Sequence, residues 1–263
     1  MAEFAAYLGI GAAVGFFAGL LGIGGGIIIV SSLALMFASF GFAPEYVMHM
    51  AIGTSLAAIV SGSWSSFRAH HRHGAVDWPL VRAMIPGLLA GVLVGAIAAR
   101  FLPSAFLKYW FLGFTLFVTL QMVIGVRPKP SRTLPGPVGI AAFSMFVGAC
   151  SSLFGGGAAA IGVPFLTWWQ VSAHRAIGTV AAMGFPLSIA GTLGYVASGW
   201  SLPGLPPWSV GFVYLPAAAG ISVTSVLLAP VGARLAHRLQ GATLRRIFAV
   251  FLLAMAAKLA VSI

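Results

Sequence analysis

Two triple glycines, Gly24-Gly25-Gly26 and Gly155-Gly156-Gly157, interrupt apolar stretches, and they are the residues best suited to chemistry in this chain. Glycine costs a helix about 1 kcal/mol relative to alanine at each position, and three in succession bare backbone amides with no side chain in the way. A bilayer tolerates such a break only where the backbone is buried in protein or lines a wet cavity. The helix that restarts after it directs unsatisfied N–H groups and the positive end of its dipole at that spot. The natural ligand of such a place is an anion.

Each glycine run is followed by a short apolar stretch and then by a hexapeptide. The two copies, His49-Met50-Ala51-Ile52-Gly53-Thr54 and His174-Arg175-Ala176-Ile177-Gly178-Thr179, agree at five of six positions. Thr54, Ser55 and Thr179 offer hydroxyl donors to an anion near the glycine turns; the competing use of such a hydroxyl is a bond to a carbonyl of its own helix. Of the remaining polar residues in apolar stretches, Gln121, Cys150, Ser151, Ser152 and Ser188, the one favoured as a site residue is Ser152, for its closeness to the second glycine turn. The candidate substrate-binding set is therefore Gly24, Gly25, Gly26, Thr54, Ser55, Ser152, Gly155, Gly156, Gly157 and Thr179. His49 and His174 are placed to orient the hairpins by hydrogen bonds, and because imidazole titrates near neutrality they are also candidates for gating or proton-linked steps.

Other chemistries lack material. The only acids, Glu3, Glu45 and Asp77, lie near segment ends, so neither a paired-carboxylate catalyst nor a membrane carboxylate relay can be assembled. His70, His71, Arg72 and His73 have no carboxylate or cysteine beside them and read as a solvated basic loop rather than a metal site. Gly22 and Gly24 lack the third glycine and the preceding strand of a dinucleotide fingerprint. A single cysteine, Cys150, excludes an intrachain disulfide framework. No catalytic residue, metal or cofactor is expected.

The elements that must position these residues are set by composition. Of 263 residues, 60% are hydrophobic and 6% charged, with a mean hydropathy of +1.05; soluble domains carry about 25% charged residues. The solvent of this chain is lipid, and spanning lipid takes helices of about 20 apolar residues. The net charge of +11 sits in short clusters between apolar runs, where the bias of Lys and Arg toward cytoplasmic loops accounts for it without nucleic acid. Gly11, Gly15 and Gly19, and again Gly87, Gly91 and Gly95, recur every four residues on one helix face and read as helix–helix contacts.

The glycine runs and hexapeptides recur in the two halves, residues 1–130 and 131–263, which make up one integral transport domain. Trp78 and Pro86 share a spacing with Trp208 and Pro216, each pair expected to open a further helix. Corresponding loops differ in charge. The link before Trp78 carries Arg68 and Arg72, whereas Ser198 to Pro207 carries no Lys or Arg; Val231 to Arg246 is richer in Arg than Ala99 to Lys108. The halves are thus expected to be inverted: the N-terminus and Ser198–Pro207 outside, the Arg68–Arg82 loop and the link with Arg127, Lys129 and Arg132 inside. Inversion needs an odd number of crossings per half, which a returning glycine hairpin plus about three transmembrane helices supplies. Ile27 to Gly41, at about 1.5 Å per residue, covers only about 22 Å of a roughly 30 Å hydrocarbon core, and Ala158 to Val171 is equally short and carries Pro164, which restricts a regular helix. Paired broken segments in inverted halves point to a transporter's substrate site. The fold expected is an all-α integral membrane protein of two inverted repeats.

The residues Gly19-Leu20-Leu21-Gly22-Ile23-Gly24-Gly25-Gly26 followed by Ala51-Ile52-Gly53-Thr54-Ser55 resemble the TauE/SafE sulfite exporter family, whose pattern is G-x-x-G-x-GGG with a downstream A-x-G-T-S in two halves. The second copy departs from it: Leu153-Phe154 stand where Gly22-Ile23 stand, and Val180 replaces the serine after Thr179. The resemblance implies multi-pass transport, in a bacterial inner membrane, of sulfur-containing anions such as sulfite or organosulfonates. The expected partners are the small anionic substrate and the lipid bilayer, with the chain acting as monomer or homodimer. A passive anion channel and a membrane enzyme or assembly factor are the alternative classes.

Overall fold

The computed structural model describes residues 2–21, 25–124, 133–236 and 241–262. Gly24 and the link carrying Arg127, Lys129 and Arg132 lie outside the described residues. The chain forms α1 (Ala2–Leu21), α2 (Gly26–Ser39), α3 (Val47–Arg72), α4 (Trp78–Ala99), α5 (Ser104–Ile124), α6 (Pro137–Phe154), α7 (Ala158–Trp168), α8 (Ala173–Ser198), α9 (Leu215–Ala236) and α10 (Gly241–Ser262). Between α8 and α9 a small antiparallel ribbon pairs β1 (Ser209–Val210) with β2 (Val213–Tyr214). Among the described residues five helices, α3, α4, α5, α6 and α8, are long and apolar enough to cross a membrane by length and composition. Large side chains such as Val94, Ile97, Phe117, Leu227 and Val250 face outward. Lipid is as apolar as they are, so nothing drives them inside. The protein is an all-α integral membrane protein.

The two short segments are short helices. α2 has 14 residues and α7 has 11, about 21 and 17 Å at 1.5 Å per residue. Pro164 does not end α7, which continues to Trp168 while the Thr167 hydroxyl donates to Val163 O and Pro164 O. Two sequence expectations are corrected. α3 runs through Arg72, so His70, His71 and Arg72 form its last turn and are not a loop; His73 is its C-cap, and the chain turns away at Gly74, whose φ of +65° suits glycine. The fourth helices of the two halves align by Pro79 and Pro216, each the second residue of its helix, rather than by Pro86 and Pro216. Proline is favoured there because the missing N–H would have had no partner in the first turn. Trp208 lies upstream, in the connection that holds the ribbon.

Helix lengths match across the halves: α3 and α8 have 26 residues each, α4 and α9 have 22 each. Packing crosses between the halves. α1 lies on α9 and α4 on α6, so each half's first helix packs against the other half's fourth. The glycines set these seams. A Cβ at Gly11 would run into Ile221 and Thr224, and one at Gly15 into Ser225. Gly87 meets Ala141 and Ser144, Gly91 meets Met145, and Gly95 meets Ala149 and Ser152. Numbers rise together along both seams, so each pair is parallel. The central pair, α3 and α8, is antiparallel: Gly53 lies beside Tyr195, Leu56 beside Gly191, and Ser63 beside Gly184. Residues 47–56 of α3 are all buried.

Candidate functional site

The second glycine run is demanded by backbone conformation. Gly155, Gly156 and Gly157 have φ of +81°, +116° and +99°, a left-handed succession that costs other residues about 1–2 kcal/mol or more at each position. The N–H groups of Gly155 and Gly156 both return to Ser151 O and close the end of α6. α7 then starts from Gly157, with no side chain capping its N-terminus. The first run is demanded by proximity. Gly25, at φ −75°, is the equally uncapped N-cap of α2, and a Cβ on Gly26 would lie 2.8 Å from Gly155 O.

The two turns therefore touch. Gly25, Gly26, Gly155 and Gly156 are buried, as are Ile27, Ile28 and Ala158 in the first turns of the short helices. Two helix N-termini, each with first-turn N–H groups that have no partner within the helix, start from adjoining interior positions. The positive ends of both dipoles point to this place, where α6 also ends, at Gly155. Ser55 joins it from α3, its buried hydroxyl donating to Gly155 O at 3.0 Å. Val180, at the corresponding place of the second half, has no hydroxyl and packs beside Gly162.

The other sequence candidates are placed differently. Thr54 Oγ1 accepts from Tyr214 N at 2.9 Å, and Thr179 Oγ1 accepts from Asp77 N at 3.1 Å. Each threonine thus holds the residue just before the fourth helix of the opposite half. Ser152 donates back to Ala149 O at 2.9 Å in the α4–α6 seam; its neighbour Ser151 is the one with a buried hydroxyl lacking a hydrogen-bond partner. His49 is buried, its Nε2 donating to Ala99 O at 2.9 Å and Leu102 O at 3.1 Å, its ring stacked on Phe212 at 4.9 Å between centroids. His174 is exposed and within electrostatic reach of His70. Next to it Arg175 approaches Asp77 at 4.0 Å, and Asp77 Oδ1 accepts from Leu80 N to cap α4. No group of three or more His, Cys, Asp or Glu side chains suited to a metal occurs among the described residues.

Sequence reasoning passed over Tyr195 and Phe212. The Tyr195 hydroxyl donates to Ser152 O at 3.1 Å, and its fully buried ring packs against Gly53 and Phe212. A tyrosine inside an apolar helix was the available signal, since its buried O–H must find a partner. Phe212 had none, because a connection between helices carries no periodicity.

Comparison with known proteins places this arrangement in a family. The family described as "Sulfite exporter TauE/SafE" matches residues 7–259. A "Probable membrane transporter protein" of Haemophilus influenzae is 33% identical over 248 residues, covering 94% of each chain. The "Probable membrane transporter protein YdhB" of Bacillus subtilis is 25% identical over 195 residues, covering 71% of this chain and 76% of its own. A "Probable membrane transporter protein" of Xylella fastidiosa is 27% identical over 264 residues, covering 95% and 92%. No solved structure matches. With a family match over nearly its whole length and relatives described as membrane transporters, the chain belongs to the sulfite exporter TauE/SafE family of membrane transporters.

Proposed function

We propose that the protein is a secondary transporter that exports a small sulfur-containing anion, sulfite or an organosulfonate, across the bacterial inner membrane, binding it at the paired glycine turns and alternating access between the two sides. The observation that carries this reading is the contact of Gly26 with Gly155, which sets the buried, uncapped N-terminus of α2 against the glycine turn from which α7 starts, likewise uncapped. Their backbone N–H groups and dipoles favour an anion with several acceptor oxygens, and the Ser55 hydroxyl is within reach of the same turn. The family's description as sulfite exporter supports the choice of a sulfur-containing anion.

Inverted halves are part of the proposal. α3 and α8 occupy the same place in their repeats yet run antiparallel, which supports opposite orientations in the membrane. An interior-negative potential favours anion efflux by about 2.3 kcal/mol per charge per 100 mV, so export needs no embedded carboxylate relay.

The test places purified protein in liposomes loaded with sulfite, sulfoacetate, taurine or chloride, imposes a potential, and measures flux and counterflow. Sulfite or sulfonate counterflow supports a carrier, and steady flux without counterflow supports a passive channel. Failure of every sulfur anion to move or bind refutes the substrate assignment.

A further inference from the structure

A hydroxyl inside a helix can bond back to a carbonyl three or four residues earlier. Ser31, Thr119, Ser144, Ser152 and Ser188 do so here. Thr54, Ser55, Ser104, Thr179 and Ser198 bond across to another element instead. Among the described buried serines and threonines, only Ser151 on α6 and Thr115 on α5, each 1% exposed, have a hydroxyl with neither kind of partner. A buried hydroxyl left unpaired is costly and calls for an explanation.

Both hydroxyls belong to the surroundings of the second glycine turn. Ser151 lies four residues before Gly155, on the same face of α6, and its carbonyl accepts from Gly155 N and Gly156 N. That face is turned away from the outer one, where Met145 and Phe146 are 41% and 56% exposed. α5 lies against α6. The Phe154 ring, three residues after Ser151, packs on Phe111 and Phe114 at 5.3 and 4.0 Å between centroids, and a Cβ on Gly157 would run into it. Thr115 follows Phe114 and sits one turn after Phe111, on the buried face of α5. The end of a helix carries the negative end of its dipole and opposes an anion. At the end of α6 three carbonyls are already occupied: Ser151 O by the two glycine N–H groups, Ser152 O by the Tyr195 hydroxyl and Gly155 O by the Ser55 hydroxyl. Ser151 and Thr115 still have a hydrogen to donate.

We propose that Ser151 and Thr115 are ligands of the transported oxyanion, donating their two O–H groups to its oxygens beside the second glycine turn. The proposal rests on the anion site proposed above and adds the side chains that bind there. Ser152 is displaced from Ser151 by roughly 100° around α6, which turns it into the seam with α4, where it bonds its own helix. Leu20 stands in the first repeat where Ser151 stands in the second, so the hydroxyl on this turn comes from one repeat alone.

The test uses detergent-purified full-length protein, calorimetric titration with sulfite, taurine and acetate, and thermal unfolding without ligand. Ser151→Ala and Thr115→Val are each expected to weaken binding by roughly tenfold or more, the effect of losing one hydrogen bond to a charged group. Their ligand-free melting temperatures should equal or exceed that of the wild type, because an unpartnered hydroxyl contributes no bond to lose. Ser144→Ala, whose hydroxyl bonds Ala141 O, is the control and keeps wild-type affinity. Unchanged affinity in either variant overturns the assignment of that residue and leaves its hydroxyl to an ordered water only. A ligand-free melting temperature lowered as far as that of Ser55→Ala also overturns it, by revealing a structural partner. Should Thr115→Val not fold, Thr115→Ala carries the same outcomes. A wild type that binds acetate but neither sulfur compound, with the same losses in the variants, would refute the sulfur substrate and leave both ligands standing. A wild type that binds none of the three refutes both readings.

Discussion

Gly26→Ala adds one methyl group where the two glycine turns touch. On the present backbone its Cβ would lie 2.8 Å from Gly155 O and 3.5 Å from Gly155 C, whereas non-bonded contacts between carbons are favourable from about 3.5 Å. Backbone stands on both sides, so the turns must separate by roughly half an ångström. Overpacking of this kind costs about 1–3 kcal/mol. The 3.0 Å bond from Ser55 to Gly155 O is strained by the same movement, a further loss of about 1 kcal/mol. Against this, alanine in place of helical glycine gains about 1 kcal/mol. The net destabilisation is about 1–3 kcal/mol, at roughly 2–4 °C per kcal/mol in a chain of this size. The variant should fold yet hold its two N-termini too far apart for one small anion. Gly62→Ala is the control, a helical glycine with nothing within 4 Å of its new Cβ. The assay pairs thermal unfolding in detergent with sulfite counterflow in proteoliposomes. Gly26→Ala is expected to lose roughly tenfold or more in transport, equivalent to about 1.4 kcal/mol of binding, while Gly62→Ala keeps it. Wild-type transport by Gly26→Ala would refute the glycine contact as the site, and an unchanged melting temperature would refute the packing arithmetic.

Ser55→Ala should lower stability by about 1 kcal/mol, the net worth of its bond to Gly155 O, and reduce flux; a melting temperature equal to wild type would show that the bond contributes nothing. Gly91→Ala, whose Cβ would run into Met145 O, should destabilise by about 1–3 kcal/mol through the α4–α6 seam, with flux per folded molecule retained; a selective loss of flux at full stability would move that seam into the transport path. Cysteines placed at His70 and Gly204, in a Cys150→Ser background, should be labelled by an impermeant reagent from opposite sides of the membrane in intact cells; labelling from the same side would defeat the inverted orientation of the halves.

Much of the frame was legible because it follows from quantities local in sequence. The scarcity of charge selects lipid as solvent, and apolar run length then separates α2 and α7 from full spans. A four-residue glycine period marks one helix face, which is why Gly11, Gly15, Gly87, Gly91 and Gly95 all sit in helix seams. What such a period cannot name is the partner. That α1 packs on α9 and α4 on α6 depends on how the halves interlock, and nothing within either helix encodes it. The histidine cluster was misplaced for a related reason: basic residues predict solvent, but a helix can carry its last turn into water, and α3 does so through Arg72.

The division is sharpest at the glycine turns. The sequence by itself determined where both glycine runs lie, and only glycine readily takes positions 155, 156 and 157 through three left-handed conformations. Only the tertiary structure decided which side chains reach them. A hydroxyl bonds whichever acceptor or donor packing brings within about 3 Å. For Ser55 that is Gly155 O, 100 positions away along the chain; for Thr54 it is Tyr214 N, 160 positions away; for Ser152 it is its own helix. Equivalent residues in matching hexapeptides therefore differ, His49 being sealed under Phe212 and His174 exposed to solvent, because burial belongs to the contact between halves and not to the motif.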